Sequence, residues 1–357
     1  MSSRLVVNAR FLTQHMTGVQ RYAVEICLEL KRMKGNDIVF VSPCDIVQKK
    51  YAEILNVQII GHHKGHLWEQ VDLPIFLKKQ GCPLLLNLCN TAPLFYRNKI
   101  VTVHDVAFMA YPQTFSKSFL YFYKFMIPRI MRTARKVITV SEFSKNEIVK
   151  YYGIEKSKIA VVYSAVSDIF QYTSHQIEAI FPYLLAVSSV NHRKNFISVL
   201  EAFLDFKKYN NDVCLYIVGD VCNSNFKRIN IDAYRKDSRI VFLGRISDEE
   251  LVNYYRNASA FIFPSLYEGF GLPPLEAQMC GCPVLVADIP PLHEVVADSG
   301  IYCNPHDIHS ISDGMKKALE EEQVLRQKGY DNTKRFSFKN SACQINGIID
   351  NLMDKEI

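Results

Sequence analysis

Ser265-Leu-Tyr-Glu-Gly-Phe-Gly-Leu-Pro-Pro-Leu-Glu-Ala-Gln-Met-Cys-Gly-Cys-Pro283 lies between two apolar runs, Ala260-Phe-Ile-Phe-Pro264 and Pro283-Val-Leu-Val-Ala287. Both runs read as buried parallel strands. Gly269 and Gly271 let the backbone turn tightly and approach a ligand. Pro273 or Pro274 suits the first turn of a helix, Gly281 ends it, and Pro283 prevents its return. The order is strand, glycine-rich loop, helix, strand. Such a loop aims unpaired N–H groups from a helix N-terminus, which favours an anion. Glu268 stands before the glycines and Glu276 in the first turns of the helix. A sharp surface turn with one solvated and one ordinary helical glutamate has the same local pattern, because a lone Gly-x-Gly is a weak signal.

Working outward, the chain alternates strands with helices. Tyr183–Ser188, Cys214–Gly219 and Ile240–Gly244 are strands, and Ser247-Asp-Glu-Glu250 is a capping box. Arg193 and Lys194 follow the first of these strands, where two cations can hold a diphosphate or simply begin a solvated helix. The first half repeats the pattern. Leu5–Asn8, Asp37–Ser42, Pro83–Asn87, Lys99–Val103, Val137–Val140 and Ile159–Tyr163 are strands. Thr17-Gly18 opens a helix from Val19 to Met33, Ser141 or Ser144 caps another, and His66–Pro74 lies on a helix with the only Trp. His104 ends a strand, where it can polarise a hydroxyl or brace a loop. The class is α/β, with parallel sheets covered on both faces. Mixed residues 165–182 mark the break between halves.

With 357 residues, the chain is too long for one typical core. It is 48% hydrophobic and 22% charged, a globular composition. No apolar run reaches the roughly 18 residues a membrane span needs. The first residues lack a signal peptide's basic, apolar and cleavage segments, so a cytoplasmic location is expected. The ten cysteines form no Cys-x-x-Cys pair and are expected to be reduced. His62, His63 and His66 read as surface residues, not a zinc site, for want of a nearby carboxylate. No Asp-x-Asp and no Gly-x-Gly-x-x-Gly occurs, which disfavours a metal-clamped phosphate and a dehydrogenase. Residues 1–170 carry 23 Lys/Arg against 12 Asp/Glu, and the remainder 19 against 24. Between Asp105 and Glu142 no acidic residue appears, while Lys117, Lys124, Arg129, Arg132, Arg135 and Lys136 are interleaved with Phe115, Phe119, Tyr121, Phe122, Tyr123 and Phe125. A helix there suits an anionic membrane surface, although many of its aromatics are also expected in the core. With no recognisable binding module, nucleic acid is not expected as a partner.

Taken together, Pro264–Glu276 with its two glutamates, Thr17-Gly-Val-Gln-Arg-Tyr22, His104-Asp105, Ser141-Glu-Phe-Ser144, Arg193-Lys-Asn195 and Phe242-Leu-Gly244 resemble, in order, the retaining glycosyltransferases of family 4. The Arg-Lys-Asn form is similar to the bacterial branch with mannosyltransferases of O-antigen and exopolysaccharide synthesis. The resemblance covers nearly the whole chain. It implies the GT-B fold: two Rossmann-like doubly wound parallel-sheet domains facing across a cleft. Residues 1–168 would bind the acceptor, 169–182 link the domains, 183–335 hold a nucleotide-sugar, and 336–357 return as a helix to the first domain. His104, Arg193, Lys194 and Glu268 would carry the catalytic roles. Gly18, Gly244, Arg245, Gly269, Phe270, Gly271, Leu272 and Glu276 would bind the donor, with Glu276 on the ribose and Glu268 on the sugar. No metal and no cofactor is expected beyond the nucleotide-sugar itself. Ser164-Ala165 and Val187-Ser188 depart from the Asn-Gly and Gly-Arg that many relatives have there.

The implied reaction moves a hexose, with mannose from GDP-mannose leading, to a glycan, expected to be lipid-linked, at the inner membrane face. The alternatives are a rhamnosyl-, glucosyl- or galactosyltransferase of the same fold, or a non-catalytic nucleotide-sugar-binding subunit. A few side chains and loop shapes decide the sugar, so the fold does not name it.

Overall fold

The computed structural model describes residues 5–171, 182–187, 192–210, 212–219 and 233–354. Residues 172–181 of the expected linker, and Ser188 and Asn191 beside the Arg193-Lys194 turn, lie outside the described residues. Thirteen strands among the described residues form two wholly parallel sheets. The chain divides into two units, Met1–Val106 with Ser118–Ala165 and Phe336–Ile357, and Ala107–Lys117 with Val166–Arg335.

In the first unit, β1 (Leu5–Asn8), β2 (Ile38–Ser42), β3 (Gln58–Ile59), β4 (Leu85–Asn87), β5 (Lys99–Thr102), β6 (Lys136–Thr139) and β7 (Ile159–Val161) lie in the order 3-2-1-4-5-6-7. β1, β4 and β5 are buried at every position. Helices cover both faces of such a sheet, so its strands read as unbroken apolar runs. Ser141 is the N-cap of the helix Glu142–Tyr152 and accepts from Ser144 N at 2.9 Å. Gly153, in the left-handed region at φ 62°, ends that helix. The C-terminal helix Phe338–Met353 belongs to this unit. Ser341 donates to Tyr163 O at 2.7 Å, and Lys34 Nζ pairs with Asp350 at 2.7 Å.

The stretch His66–Pro74 is two helices, not one: Gly65–Gln70 and Asp72–Lys79. Pro74 lacks an N–H and its ring would clash with the Gln70 carbonyl, so the helix breaks at Val71. Trp68 is fully buried and donates to Ile60 O at 2.7 Å. The aromatic-basic segment forms the helix Lys117–Thr133, but its core-facing residues are Met126, Ile127, Pro128, Ile130 and Met131. None of its interleaved aromatics is buried, so the expectation that many fill the core is wrong. The apolar side of the helix falls in its C-terminal half.

In the second unit, β8 (Tyr183–Val187), β9 (Cys214–Val218), β10 (Ile240–Gly244), β11 (Ala260–Phe263), β12 (Val284–Ala287) and β13 (Ile301–Cys303) lie in the order 10-9-8-11-12-13. Leu184, Leu215, Ile262 and Leu285 meet Phe203, Ile311 and Met315 from the covering helices in one core. Ser247 and Glu250 form the expected capping box.

Both sheets reverse their winding at one place. In the first, the chain leaves β1 for β2 on one side and takes up β4 on the other. In the second, β9 and β11 flank β8. Loops after adjacent strands there go opposite ways and leave a crevice at the strands' C-terminal ends, where open α/β sheets bind ligands.

Candidate functional site

The second unit's crevice is built by the loops after β8 and β11. After β8, a short turn of 3-10 helix, His192–Lys194, precedes Asn195, which is left-handed at φ 57°. Asn195 donates to Pro264 O at 3.1 Å and Pro305 O at 2.6 Å, and Ser198 donates to its Oδ1 at 2.7 Å. These bonds fasten the turn onto the end of β11. Leu266 N donates to Arg193 O at 2.9 Å, and Arg193 Nη1 to Tyr267 O at 2.7 Å.

The result is a tight charge cluster. Lys194 Nζ lies 2.5 Å from Glu268 Oε1, and Arg193 Nη1 lies 3.6 Å from Glu268 Oε2. Glu268 is only 8% exposed. Burial pushes its carboxyl up, but Lys194 and then Arg193 more than offset that and hold it below the usual carboxylate range. The trio keeps one net positive charge, on side chains already held in place. Lys194 Nζ also sits 4.9 Å from the centre of the Phe263 ring.

Beside the cluster starts the helix Leu272–Met279, with Gly271 as its N-cap and proline in its first turn. Gly271 has φ 108°, a conformation L-residues rarely adopt, and a Cβ there would meet Leu292 Cδ2 at 2.5 Å. Glycine is therefore required for the helix to begin here. Gly269, Phe270 and Leu272 lie along the same entry, and Glu276 is half-buried in the middle of the helix. Gly244, at φ 70°, ends β10 at an irregularity in its register with β9, and exposed Arg245 follows. β10 is three strands from β11, or about 14 Å at the usual spacing. An elongated ligand, with an anionic middle over the cluster, suits this edge.

Tyr111 was not among the expected site residues. It lies in the segment Ala107–Lys117, which belongs to the second unit, and its hydroxyl donates to Leu266 O at 3.3 Å. No local pattern marks it, because it comes from the chain's first half.

Gly18 and His104 belong to the first unit. Gly18 opens the helix Gly18–Lys34. His104 packs edge-on against Tyr22 of that helix, ring centres 4.9 Å apart, and its backbone N–H donates to Asn90 Oδ1 at 2.9 Å. Its Nε2 faces Leu88 O at 2.9 Å. A carbonyl only accepts, so the proton sits on Nε2 and Nδ1 keeps its lone pair. Burial pushes the His104 pKa below its usual value, although the Leu88 carbonyl opposes this. A neutral ring with a basic Nδ1 can accept from a hydroxyl.

Beside these, the first unit holds a buried polar network that the sequence reading missed. Arg10 Nε pairs with Glu69 Oε1 at 3.3 Å, and Arg10 Nη2 donates to Thr91 at 2.8 Å. Asn8 and Thr91 each donate to Glu69 Oε1 at 3.0 Å. Asn8 and Arg10 come at the end of β1, the one local hint. His66 and His63 do have nearby carboxylates, Glu69 at 3.4 Å and Asp72 at 2.9 Å, which corrects the reading of them as lacking one.

Residues 16–168 match the family model described as Glycosyltransferase Family 4, and residues 167–336 match that of Glycosyl transferases group 1. O-antigen chain mannosyltransferase RfbU of Salmonella typhimurium is 28% identical over 360 residues, covering 94% of this chain and 96% of that protein. O-antigen chain mannosyltransferase B of Escherichia coli is 26% identical over 274 residues, 69% of this chain and 68% of its own. Among solved structures, sucrose-phosphate synthase from Thermosynechococcus elongatus matches with a TM-score of 0.77 at 16% identity, covering 99% of this chain and 100% of that one. HepE from Anabaena, solved in complex with UDP and glucose, matches with a TM-score of 0.74 at 16% identity, over 98% and 100%. At such identities the structural likeness shows the fold, two Rossmann-like domains of the GT-B class. The two family matches overlap at residues 167–168 and together span residues 16–336, so this chain belongs to the family 4 glycosyltransferases and is an enzyme of that class.

Proposed function

We propose that this glycosyltransferase moves mannose from GDP-mannose, with retention of configuration, to a hydroxyl of a lipid-linked glycan in bacterial surface polysaccharide synthesis. The observation that carries the reading is the pairing of Arg193 and Lys194 on buried Glu268 at the second sheet's crevice, beside the helix start at Leu272. The choice of mannose rests on the likeness to RfbU and O-antigen chain mannosyltransferase B.

In this reading Gly244 and Arg245 meet the base, and Glu276 accepts from the ribose hydroxyls. Glu268 and the backbone of Gly269–Leu272 hold the sugar. Gly18 approaches the phosphates, and His104 Nδ1 accepts from a sugar hydroxyl. The bond from the anomeric carbon to the diphosphate oxygen breaks while the acceptor oxygen attacks from the same face. The acceptor's proton passes to the leaving phosphate oxygen. Negative charge grows on that phosphate, and Arg193, Lys194 and helix N–H groups stabilise it more in the transition state than before it. These groups supply what a divalent cation would, so no metal is required.

The test is a donor panel. GDP-mannose is expected to raise the melting temperature, as a ligand that binds only the folded state does. UDP-glucose and dTDP-rhamnose are expected to leave it unchanged, and GDP release to persist in EDTA. A shift with dTDP-rhamnose alone would make the enzyme a rhamnosyltransferase. Donor binding without transfer or slow hydrolysis would make it a non-catalytic subunit.

The same reading places the protein in the cytoplasm, peripheral on the inner membrane face. Among the described residues no helix is long and apolar enough to cross a membrane. The first unit instead exposes Tyr121 (76%) and Phe125 in the stretch between Asp105 and Glu142, which holds no acidic residue, and Phe95 (91%), Leu67 and Ile75 outside that stretch. The Arg129 guanidinium lies 3.7 Å over the Phe125 ring. Aromatics at the headgroup level and cations toward anionic lipid are the pattern of interfacial binding. Flotation with anionic liposomes is expected to carry the protein, and Tyr121→Ser with Phe125→Ser to reduce this at least fivefold. Equal recovery with neutral liposomes, or recovery indifferent to salt, counts against it.

A further inference from the structure

The first unit's crevice holds a cavity of about 270 Å³ at the point where its sheet reverses winding. Its floor is the Arg10–Glu69–Thr91 network, and its wall is aromatic. We propose that this cavity is a specificity subsite for one uncharged sugar ring of the acceptor, with the Arg10–Glu69 pair excluding uronic acids and phosphosugars. The proposal rests on the glycosyltransferase reading and adds the chemical class of the ring.

Size comes first. At roughly 30 Å³ per water, the cavity equals about nine waters, room for a single pyranose ring. Charge comes second. Glu69 is 1% exposed, and its Oε1 takes hydrogen bonds from Asn8, Arg10 and Thr91. Arg10 and Glu69 cancel, so the floor is polar and neutral. An anionic sugar would have to draw Arg10 away, leaving Glu69 as an unpaired buried charge, which is strongly unfavourable. A hydroxyl can join the network at Thr91 or His66 without breaking the pair. Shape comes third. Phe119 and Tyr123 line the cavity with rings stacked 3.9 Å apart at 17°, and His66 lies 4.7 Å from Phe122. Flat aromatic faces suit the apolar C–H face of a pyranose, while the polar floor suits its hydroxyls. Tyr123 lines the same cavity as Arg10 and Glu69. Arg10 and Glu69 stand 59 residues apart and were brought together only by folding.

Saturation-transfer NMR on the full chain tests this, with methyl α-mannoside, methyl α-glucoside and methyl α-galactoside against methyl glucuronide and mannose 6-phosphate. At least one neutral glycoside is expected to show saturation, and the charged sugars less than a tenth of it. Tyr123→Ala is expected to lower the neutral signal at least fivefold. Glu69→Gln, which leaves Arg10 without its counter-charge, is expected to raise binding of the charged sugars at least fivefold, a gain that mere loosening of structure would not produce. If Glu69→Gln does not fold, the Tyr123→Ala comparison decides alone. Equal or stronger binding of the charged sugars by wild type, or an unchanged neutral signal in Tyr123→Ala, overturns the proposal. The melting-temperature shift with GDP-mannose runs in parallel: its absence alongside neutral-glycoside binding lost in Tyr123→Ala overturns the mannosyl reading and supports the subsite.

Discussion

Lys194→Ala is expected to lower kcat by about 10²–10³-fold at saturating donor, the usual effect of removing one donor from a developing oxyanion. The effect should fall on kcat more than on donor affinity. Arg193 remains, fixed by its bonds to Tyr267 O and Glu268, and in the proposed reading still attracts the ground-state diphosphate. What is lost is the group nearest Glu268, whose 2.5 Å contact fixes where the ammonium points. Lys194→Arg is expected to recover only part of the rate, because a planar guanidinium cannot occupy the compact position of an ammonium between Glu268 and the Phe263 ring. GDP release measured across donor concentrations separates the two constants. Full turnover by Lys194→Ala at saturating donor would remove the leaving-group role.

Glu69→Ala is expected to destabilise the first unit by about 3–5 kcal/mol, because it leaves the Arg10 charge buried without its partner. The pH dependence follows from the same contact. Burial pushes the Glu69 carboxyl up, but Arg10, His66 and Asn8 more than offset this, and its folded pKa lies below the ordinary 4.5. A carboxyl depressed on folding stabilises fully above its unfolded value, and that stability is lost as pH falls through the folded one. Melting temperature is therefore expected to be flat above about pH 5 and to fall steeply below 4.5. Glu69→Gln should start lower and fall less, keeping a residual acid dependence from Glu268, whose carboxyl is depressed in the same way. An identical acid profile in Glu69→Gln would show that Arg10 does not hold this carboxylate.

What could be read along the chain was whatever neighbours in sequence decide. β1, β8, β10, β11 and β12 are apolar runs, and each appears within a residue or two of its expected bounds. Gly271 and the prolines after it announce the helix, because backbone freedom and a missing N–H are properties of the residues themselves. Ser141 and the Ser247–Glu250 box are equally local. Two short strands, β3 and β13, were missed, whereas β4 and β7, each of three residues, were legible because longer apolar runs contain them.

Which residues meet was decided by the tertiary structure. Lys194, with Arg193 beside it, faces Glu268 across 74 residues because β8 and β11 pair in parallel and end at the same edge. Arg10 and Glu69 meet because β1 and the helix Gly65–Gln70 bring them together beneath the first crevice. The aromatic helix shows why composition alone misled. Phe and Tyr predict burial on average, but the face on which Met126, Ile130 and Met131 stand is the one turned to the core. Local chemistry set the strands, turns and caps, since each depends on a few adjacent torsions. Register, winding order and helix rotation depend on packing between distant segments, and these placed the charges and rings of the site.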